Sequence, residues 1–325
     1  MDLELFIPTY NRTRLLEECL KSVFRASRPQ GLNITVVIVD NNSCERSRKV
    51  VQPFLEQSEL PCRYIHIQRP GKSAALNEAL AQTHAELVGF VDDDEQLDAA
   101  WFEVAYREMS GDSNLDYIGG PYHPNWEVPL PEWLPPITTY GSGLGIVHRP
   151  ERIAFSPEFA GILMGGNIVI RRATLEKVLP YPEKLGRIGH QIRSGMDELI
   201  HHRLLQVGAR GESVPDLIIY HWIPAERMTK QYYRKWAFGR GVGEGYQFRE
   251  RTFPETALLG IPRYKFGKLL RCLPSVLFAR DRQRRFLAEL SVRDCFGLLY
   301  GRHIYGRFQL VRRQKYSKDD KPVYQ

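Results

Sequence analysis

Short apolar runs alternate with longer, helically patterned stretches through the first 92 residues of the chain. The runs cover residues 3–7, 34–40, 62–68 and 86–92. The first, second and fourth are almost entirely apolar, which is typical of strands buried on both faces of a parallel sheet. The stretches between them predict helices from Thr13 to near Pro29, from about Glu45 to Gln57 and from about Lys72 to Thr83.

The alternation of strands and helices with short connections predicts right-handed crossovers and a mostly parallel α/β sheet. In sheets of this kind, ligands bind in the crevice at the carboxyl ends of the strands. Asp40 ends the second apolar run and Asp92 ends the fourth. We therefore expect two carboxylates to lie over one crevice.

The later part of the chain begins with an unusual segment. Residues 120–160 are rich in Pro, Gly and aromatic residues, which predicts a long irregular binding loop or lid. Beyond it the pattern predicts strands at residues 162–172 and 216–222 and helices at residues 173–178 and 194–207. After Pro224 the sequence becomes helical, basic and aromatic.

Length and composition fit a soluble globular protein. The 325 residues, 43% of them hydrophobic and 26% charged, suffice for one large α/β domain with a smaller appendage. The sequence has no apolar run of about 18 residues, and its N-terminus looks like a strand rather than a signal peptide. The five cysteines form no C-x-x-C pair, which favours reduced thiols. We therefore expect a cytoplasmic location.

The net charge of +7 is unevenly distributed. Residues 1–224 carry 22 basic and 29 acidic side chains, a net charge of −7, whereas residues 225–325 carry 23 basic and 9 acidic side chains, a net charge of +14. The basic C-terminal region predicts an anionic partner, which charge alone leaves open between membrane lipid, a nucleotide and nucleic acid. No recognisable nucleic-acid-binding module accompanies the charge, so we expect no nucleic-acid partner.

Four consecutive acidic residues, from Asp92 to Glu95, follow the fourth apolar run. Adjacent carboxylates repel one another unless a cation neutralises them. The hard ions Mg²⁺ and Mn²⁺ bind carboxylate oxygens together with the phosphates of a nucleotide. The spacing of Asp92 and Asp94 lets both side chains point to the same side of a turn. A metal site is therefore one interpretation, and a solvated acidic turn is the other.

Six segments, in this order, resemble motifs of the family 2 glycosyltransferases, which have the GT-A fold. They are IPTYNR (residues 7–12), VDNNS (39–43), GKSAALNEAL (71–80), FVDDD (90–94), GGNIVIRR (165–172) and GMDELIHHRLLQVG (195–208). The resemblance implies a GT-A catalytic domain over residues 1–224, with a nucleotide-sugar half at about 1–119 and an acceptor half at about 120–224. Residues 225–325 would form a basic helical extension.

The resemblance also implies roles for individual residues. Nucleotide-sugar binding is expected of Pro8, Thr9, Tyr10, Arg12, Asp40, Gly71, Lys72, Asn77, Asp92 and Asp93. Among these, Tyr10 would stack on the base and Asp40 would accept a hydrogen bond from uracil. A divalent ion, Mn²⁺ or Mg²⁺, is expected at Asp92 and Asp94. His221 would be a third metal ligand or a diphosphate contact, or else a hydrogen-bonded histidine at a strand end.

For the general base, the resemblance implies Asp197, with Glu198 as the alternative. Neighbouring residues on a helix point about 100° apart, so the two cannot face the acceptor equally. The family commonly has Glu at the position of Met196, so any role that needs a carboxylate there is in doubt for this chain.

These features predict an inverting, metal-assisted glycosyltransferase that moves a sugar from a nucleotide-diphosphate donor, UDP by preference, to a saccharide or glycolipid hydroxyl. Polysaccharide or cell-envelope assembly is the setting that the resemblance implies. A nucleotidyltransferase or other nucleotide-sugar enzyme and a catalytically silent sugar-binding protein are the alternatives. Residues 225–325 would either lie on anionic lipid at the cytoplasmic face of the inner membrane or cap the catalytic domain.

Overall fold

The structure is a computed structural model, and it describes residues 1–56, 59–134, 144–156, 165–183, 196–247, 257–258 and 261–304. The chain divides into two compact units. The first comprises Met1–Pro129 and Ile137–Pro224, and the second comprises Leu130–Pro136 and Ala225–Gln325.

The part of the first unit that the structure describes contains eleven strands and six helices. The strands are β1 (Asp2–Thr9), β2 (Asn33–Asp40), β3 (Cys62–His66), β4 (Leu87–Phe90), β5 (Glu95–Leu97), β6 (Tyr117–Gly119), β7 (Tyr122–Trp126), β8 (Ile153–Phe155), β9 (Ile168–Arg171), β10 (Gly211–Ser213) and β11 (Ile219–Ile223). The helices are α1 (Thr13–Arg25), α2 (Glu45–Glu56), α3 (Lys72–Leu80), α4 (Trp101–Gly111), α5 (Arg172–Val178) and α6 (Met196–Gln206).

The main sheet has the strand order β3-β2-β1-β4-β9-β6-β10-β8. Strands β1 to β4 pair in parallel, as the sequence predicts. Strand β9 enters antiparallel to both β4 and β6, so the sheet is mixed beyond β4. A second sheet places β11 between β5 and β7. The carboxyl ends of β1, β2 and β4 therefore lie at the same edge of the main sheet, which is where ligands bind in such folds.

Two apolar layers cover the main sheet. Along β1, Leu3, Leu5 and Ile7 belong to one layer and Phe6 belongs to the other, because successive side chains of a strand point to opposite faces. Helix α1 adds Leu16, Cys19, Leu20 and Val23 to the first layer, all of them buried. Their spacing is that of one face of a helix, so the apolar pattern of the sequence forms the core directly.

The segment at residues 120–160 differs from the sequence prediction. We predicted an irregular loop, but it contains β7 and β8. Strand β7 pairs in parallel with β11, which lies almost a hundred residues later in the chain. Pairing with so distant a partner leaves no local pattern, so the Pro and aromatic content was misleading. Residues 135–143 and 157–164 of the same segment lie outside the described residues.

The second unit is helical, as the sequence predicts. Its elements are a 3₁₀ helix (Ala225–Met228), α7 (Lys230–Gln247), a short hairpin of β12 (Ala257–Leu258) and β13 (Ile261–Pro262), α8 (Arg263–Phe278) and α9 (Arg282–His303). Trp133 also belongs to this unit, and its indole packs edge-on against Tyr233 and Phe286. Within the described residues, no helix is both long and apolar enough to cross a membrane.

Helices α7 and α9 approach each other at four glycines. A Cβ atom added at Gly241 or Gly245 of α7 would lie 2.0 or 2.1 Å from a backbone oxygen of α9. A Cβ atom added at Gly297 or Gly301 of α9 would lie 2.1 or 2.2 Å from a backbone oxygen of α7. Each pair has the spacing G-x-x-x-G, which places both glycines on one side of the helix and lets the two backbones touch.

Candidate active site

The acidic segment after β4 folds into a tight turn. The backbone N–H of Glu95 donates to the Asp92 carbonyl at 3.1 Å, and the Glu95 carboxylate accepts from the Asp92 N–H at 2.7 Å. Asp93, Asp94 and Glu95 are all buried, with 4%, 8% and 3% of their surfaces exposed. Burial and the neighbouring charges of Asp92 and Asp94 raise the pKa of Glu95 well above its usual value. Ionisation of Glu95 is therefore disfavoured unless a cation lies beside it.

Two basic side chains partly neutralise this turn. The Arg12 guanidinium donates to Asp93 at 2.9 Å and to Asp94 at 2.7 Å, and the Lys72 ammonium donates to Asp92. Burial alone would lower the pKa of Lys72, but Asp92 and Asp197 outweigh that effect and raise it. Lys72 therefore stays protonated between two carboxylates. Asp93 also accepts from the Thr9 hydroxyl at 2.8 Å, so it points toward β1.

Three of the carboxylates lie close enough to share a cation. One oxygen from each of Asp92, Asp94 and Glu95 lies within 4.8 Å of the others. The sequence prediction named Asp92 and Asp94 but not Glu95. The third ligand candidate, His221, has its Nε2 3.8 Å from an Asp94 oxygen. It lies on β11 opposite Glu95, because β11 pairs with β5.

Two consecutive glycines lie against the carboxylates. A Cβ atom added at Gly165 would lie 2.5 Å from an Asp197 oxygen, and one added at Gly166 would lie 2.4 Å from a Glu95 oxygen. The N–H of Gly166 donates to the Tyr122 hydroxyl at 2.9 Å. The glycines therefore bring Asp197, at the start of α6, close to the acidic turn after β4.

Asn167 follows the two glycines in the sequence and has a structural role. Its fully buried side chain accepts from the Trp101 indole at 2.9 Å and donates to the carbonyls of Leu217 at 2.7 Å and Pro121 at 3.2 Å. These bonds join β9 to α4 and to the segments that precede β7 and β11. The Gly-Gly-Asn sequence thus combines room for two carboxylates with an anchor for the strands around them.

Asparagine side chains tie together the loops after β1, β2 and β3. The side-chain Oδ1 of Asn11 accepts from the Cys44 N–H at 2.8 Å. The Asn41 side chain donates to the Arg69 carbonyl at 2.7 Å and accepts from the Gly71 N–H at 2.8 Å. Asn11 has a φ of 55°, a left-handed conformation that asparagine adopts more readily than most residues. The first three loops at this edge of the sheet therefore form one connected surface.

The predicted nucleoside-binding residues have contrasting environments on this surface. Tyr10 is 54% exposed, whereas Pro8 is buried within β1. Asp40 is buried at the end of β2 and accepts hydrogen bonds from the Ser43 N–H, at 2.7 Å, and from the Tyr64 hydroxyl. Asn77 donates to the Tyr181 carbonyl at 3.0 Å and accepts from the Tyr181 N–H at 2.7 Å. The Glu198 side chain lies outside the described residues.

A comparison with known families gives a match that covers the first five of the six motifs. The model of glycosyl transferase family 2 matches residues 4–179, which is more than half of the chain. The chain belongs to this family. The GalNAc(5)-diNAcBac-PP-undecaprenol beta-1,3-glucosyltransferase of Campylobacter jejuni is 31% identical over 97 residues, covering 29% of this chain and 30% of that protein. Matches to two further curated relatives span 32% and 43% of their lengths.

Solved structures show the same fold over most of the chain. Residues 1–349 of Staphylococcus aureus TarS, in complex with UDP-GlcNAc, match with a TM-score of 0.54 at 18% identity, covering 90% of this chain and 92% of that one. The mannosyltransferase PcManGT from Pyrobaculum calidifontis, in complex with GDP-Man and Mn²⁺, matches with a TM-score of 0.54 at 17% identity, covering 98% and 81%. This family 2 chain therefore has the GT-A fold.

Sequence reasoning missed three contributors to the site of this family 2 chain. Glu95 was noticed only as part of an acidic run, although its carboxylate both supports the turn and joins the group of three. Tyr122 fell in the segment predicted to be irregular. Gly165 and Gly166 were recognised as a motif without a reason for their small size. Only the distances to Glu95 and Asp197 explain why a larger residue does not fit.

Proposed function

We propose that this chain is an inverting glycosyltransferase that moves a sugar from a nucleotide-diphosphate donor, UDP by preference, to a hydroxyl of a saccharide or glycolipid. The observation that carries the proposal is the pair of glycines that brings Asp197 close to the acidic turn of Asp92, Asp94 and Glu95. A cation site for the leaving group and a separate carboxylate for proton removal are the two parts that this reaction needs.

The acidic turn fits a divalent cation. Opposite ligands of an octahedral Mg²⁺ ion lie about 4.2 Å apart, which is close to the 4.8 Å limit within which the three oxygens lie. Arg12 and Lys72 are two cationic side chains bonded to the turn. A further cation would favour the ionised form of the buried Glu95 carboxylate, whose pKa burial and the neighbouring acids raise. When bound, such an ion supplies Lewis-acid stabilisation of the diphosphate leaving group.

The donor nucleotide is proposed to bind the loops after β1, β2 and β3. Tyr10 offers an exposed ring for stacking on the base. The Asp40 carboxylate is buried and bonded to Ser43 and Tyr64, so it would accept from the uracil N–H by exchanging one of these bonds. Arg12 and Lys72 supply positive charge for the diphosphate. The TarS structure contains UDP-GlcNAc and the PcManGT structure contains GDP-Man, so the fold accepts both nucleotides and experiment must choose the base.

Asp197 is proposed to remove the proton from the acceptor hydroxyl while that oxygen attacks the anomeric carbon. The bond from the anomeric carbon to the diphosphate oxygen breaks in the same displacement, the nucleoside diphosphate leaves, and the configuration inverts. Asp197 lies in the first turn of α6, where the helix N-terminus favours the ionised carboxylate that can accept a proton. A glycolipid acceptor is supported by the Campylobacter relative, whose name includes an undecaprenol-linked saccharide.

A thermal-shift experiment tests the donor site. The full chain is mixed with UDP-, GDP- or dTDP-sugars with and without Mn²⁺, and a ligand at about 100 times its dissociation constant should add about 2.7 kcal/mol of stability. We expect a shift with one nucleotide family, its loss on adding EDTA, and its loss in Asp94→Asn. The matched control is Asp216→Asn, an exposed acid outside the site. A folded wild-type chain that shows no shift with any donor would contradict the proposal.

A further inference from the structure

An apolar stripe on helix α8 of the second unit is exposed to solvent. The stripe consists of Leu270, Leu273, Pro274, Leu277 and Phe278, whose spacing of i, i+3, i+4, i+7 and i+8 places them on one face. The most exposed members are Phe278 at 78%, Leu270 at 65% and Leu277 at 63%. The same kind of spacing is buried in α1, whereas no residue of α8 is buried. A continuous exposed apolar face of this kind indicates a binding surface.

Basic residues are frequent along α8 and at the start of α9. Residues 263–285 contain eight basic residues and one acidic residue, and seven of the basic residues are exposed: Arg263, Lys268, Arg271, Arg280, Arg282, Arg284 and Arg285. The single acid, Asp281, caps α9 by accepting from the Arg284 N–H at 2.7 Å. The segment as a whole therefore carries a net charge of +7.

Two hydrogen bonds place two of these cations, Arg271 and Arg285, beside the apolar residues. The Arg271 Nε donates to the Gly267 carbonyl at 3.2 Å, so this side chain folds back along α8. The Arg285 side chain donates to the Leu277 carbonyl at 3.4 Å, so the basic start of α9 lies at the C-terminal end of the stripe. Apolar and cationic groups thus share one surface of the second unit.

We propose that this surface of α8 binds an anionic lipid bilayer. The apolar stripe would enter the boundary between headgroups and acyl chains, and the neighbouring Arg side chains of α8 and α9 would contact the negative headgroups. A second copy of the chain is a poorer occupant, because two segments of charge +7 would then face each other. Nucleic acid is poorer as well, because a phosphate backbone offers nothing to bury five apolar side chains. The proposal does not depend on the transferase activity.

Vesicle sedimentation with the full chain tests this inference. One set of vesicles contains phosphatidylcholine only, and the other contains equal amounts of phosphatidylcholine and phosphatidylglycerol. We expect binding to the second set alone. Leu270→Gln combined with Leu277→Gln should reduce binding about tenfold or more, because two apolar side chains leave the interface. The matched control is Leu130→Gln with Leu258→Gln, which changes two leucines that are 44% and 49% exposed and should bind as wild type does.

A second variant tests the electrostatic part. Each cation near an anionic surface contributes roughly a factor of five to binding, so Arg282→Gln with Arg284→Gln should weaken binding about 25-fold. Circular dichroism without lipid checks that each variant is folded. Equal sedimentation of wild type and the Leu270/Leu277 variant would overturn the proposal. So would a wild-type dimer in solution that this variant converts to monomer without any vesicle binding by wild type, because the stripe would then bind a second copy.

Discussion

Gly165 and Gly166 are the residues at which backbone packing most directly controls the proposed chemistry. Each lies so close to a carboxylate that an added methyl group would overlap it, at Asp197 in one case and at Glu95 in the other. The space that the two carboxylates need explains the small size of both residues. At this scale, Asp197 and Glu95 can both lie against the same stretch of backbone because Gly165 and Gly166 have no side chains.

The change Gly166→Ala tests this arrangement. The new methyl group would displace the flexible Glu95 carboxylate from the Asp92 N–H and from the group of three acids. We expect the fold to survive and Mn²⁺-dependent donor binding to weaken by about 10- to 100-fold, as for changes next to metal ligands. Calorimetric titration of the donor measures this loss. Gly111→Ala, where an added Cβ meets nothing within 4 Å, should leave binding unchanged. If both variants bound the donor equally well, the proposed contact between Gly166 and the Glu95 carboxylate would not support donor binding.

Asp197 allows binding and catalysis to be separated. Asp197→Asn keeps the shape of the side chain and removes its basicity, so transfer should fall by about 100- to 10,000-fold while donor binding persists. Initial rates and donor dissociation constants measure the two effects separately. Asp216→Asn serves as the control because that side chain is 71% exposed. Near-normal turnover in Asp197→Asn would show that another group is the general base.

Among the elements, helices α7 and α9 show how small residues determine packing. Their four glycines leave the two backbones in contact, and two ion pairs flank the contact, Arg234 with Glu289 at 2.7 Å and Arg240 with Asp294 at 2.8 Å. Such partly exposed pairs contribute only about 0.2–1 kcal/mol each. The close backbone approach is therefore the feature that a substitution should disturb most.

The variant Gly245→Ala should destabilise the second unit. Its Cβ would lie 2.1 Å from the Leu298 carbonyl oxygen, so the helices must separate, at a cost of about 1–3 kcal/mol. Gly239→Ala in the same helix meets nothing within 4 Å and should add up to about 1 kcal/mol through helix propensity. Urea unfolding followed by circular dichroism compares the two. If both variants changed the free energy of unfolding in the same direction, the close approach of the two backbones would not determine the stability of this unit.

At the scale of the whole molecule, charge is the property that the sequence distributes most unevenly. The first 224 residues carry a net charge of −7 and the remainder carries +14. A polyanionic surface should attract the basic region, residues 225–325, and repel the acidic region, residues 1–224. We therefore expect the protein to bind such surfaces through its basic region. The proposed lipid contact of α8 belongs to this basic region.

Cation-exchange chromatography at pH 7 tests this asymmetry without lipid. Arg282→Gln with Arg284→Gln and, as a control, Arg46→Gln with Lys49→Gln each lower the net charge from +7 to +5. We expect the first pair to elute at clearly lower salt and the second to elute close to wild type, because the resin contacts the basic region. If both variants eluted at the same lowered salt concentration, net charge alone would govern binding to the resin.

The sequence by itself determined the local parts of this protein. Runs of apolar residues predicted β1, β2 and β4, helical spacing predicted α1, and the resemblance of six segments predicted the family that the comparison then showed. These features depend on neighbours within a few positions, so a single sequence records them. The roles assigned to individual site residues stay predictions, which the proposed variants test.

Tertiary structure decided everything that depends on distant partners. Strand β7 forms because β11 pairs with it, Glu95 joins Asp92 and Asp94 because the turn folds back, and Gly165 matters because Asp197 arrives beside it. The outward direction of the stripe on α8 was equally hidden, because helical spacing shows that one face is apolar but not whether that face is covered. Long-range contacts alone supply that information.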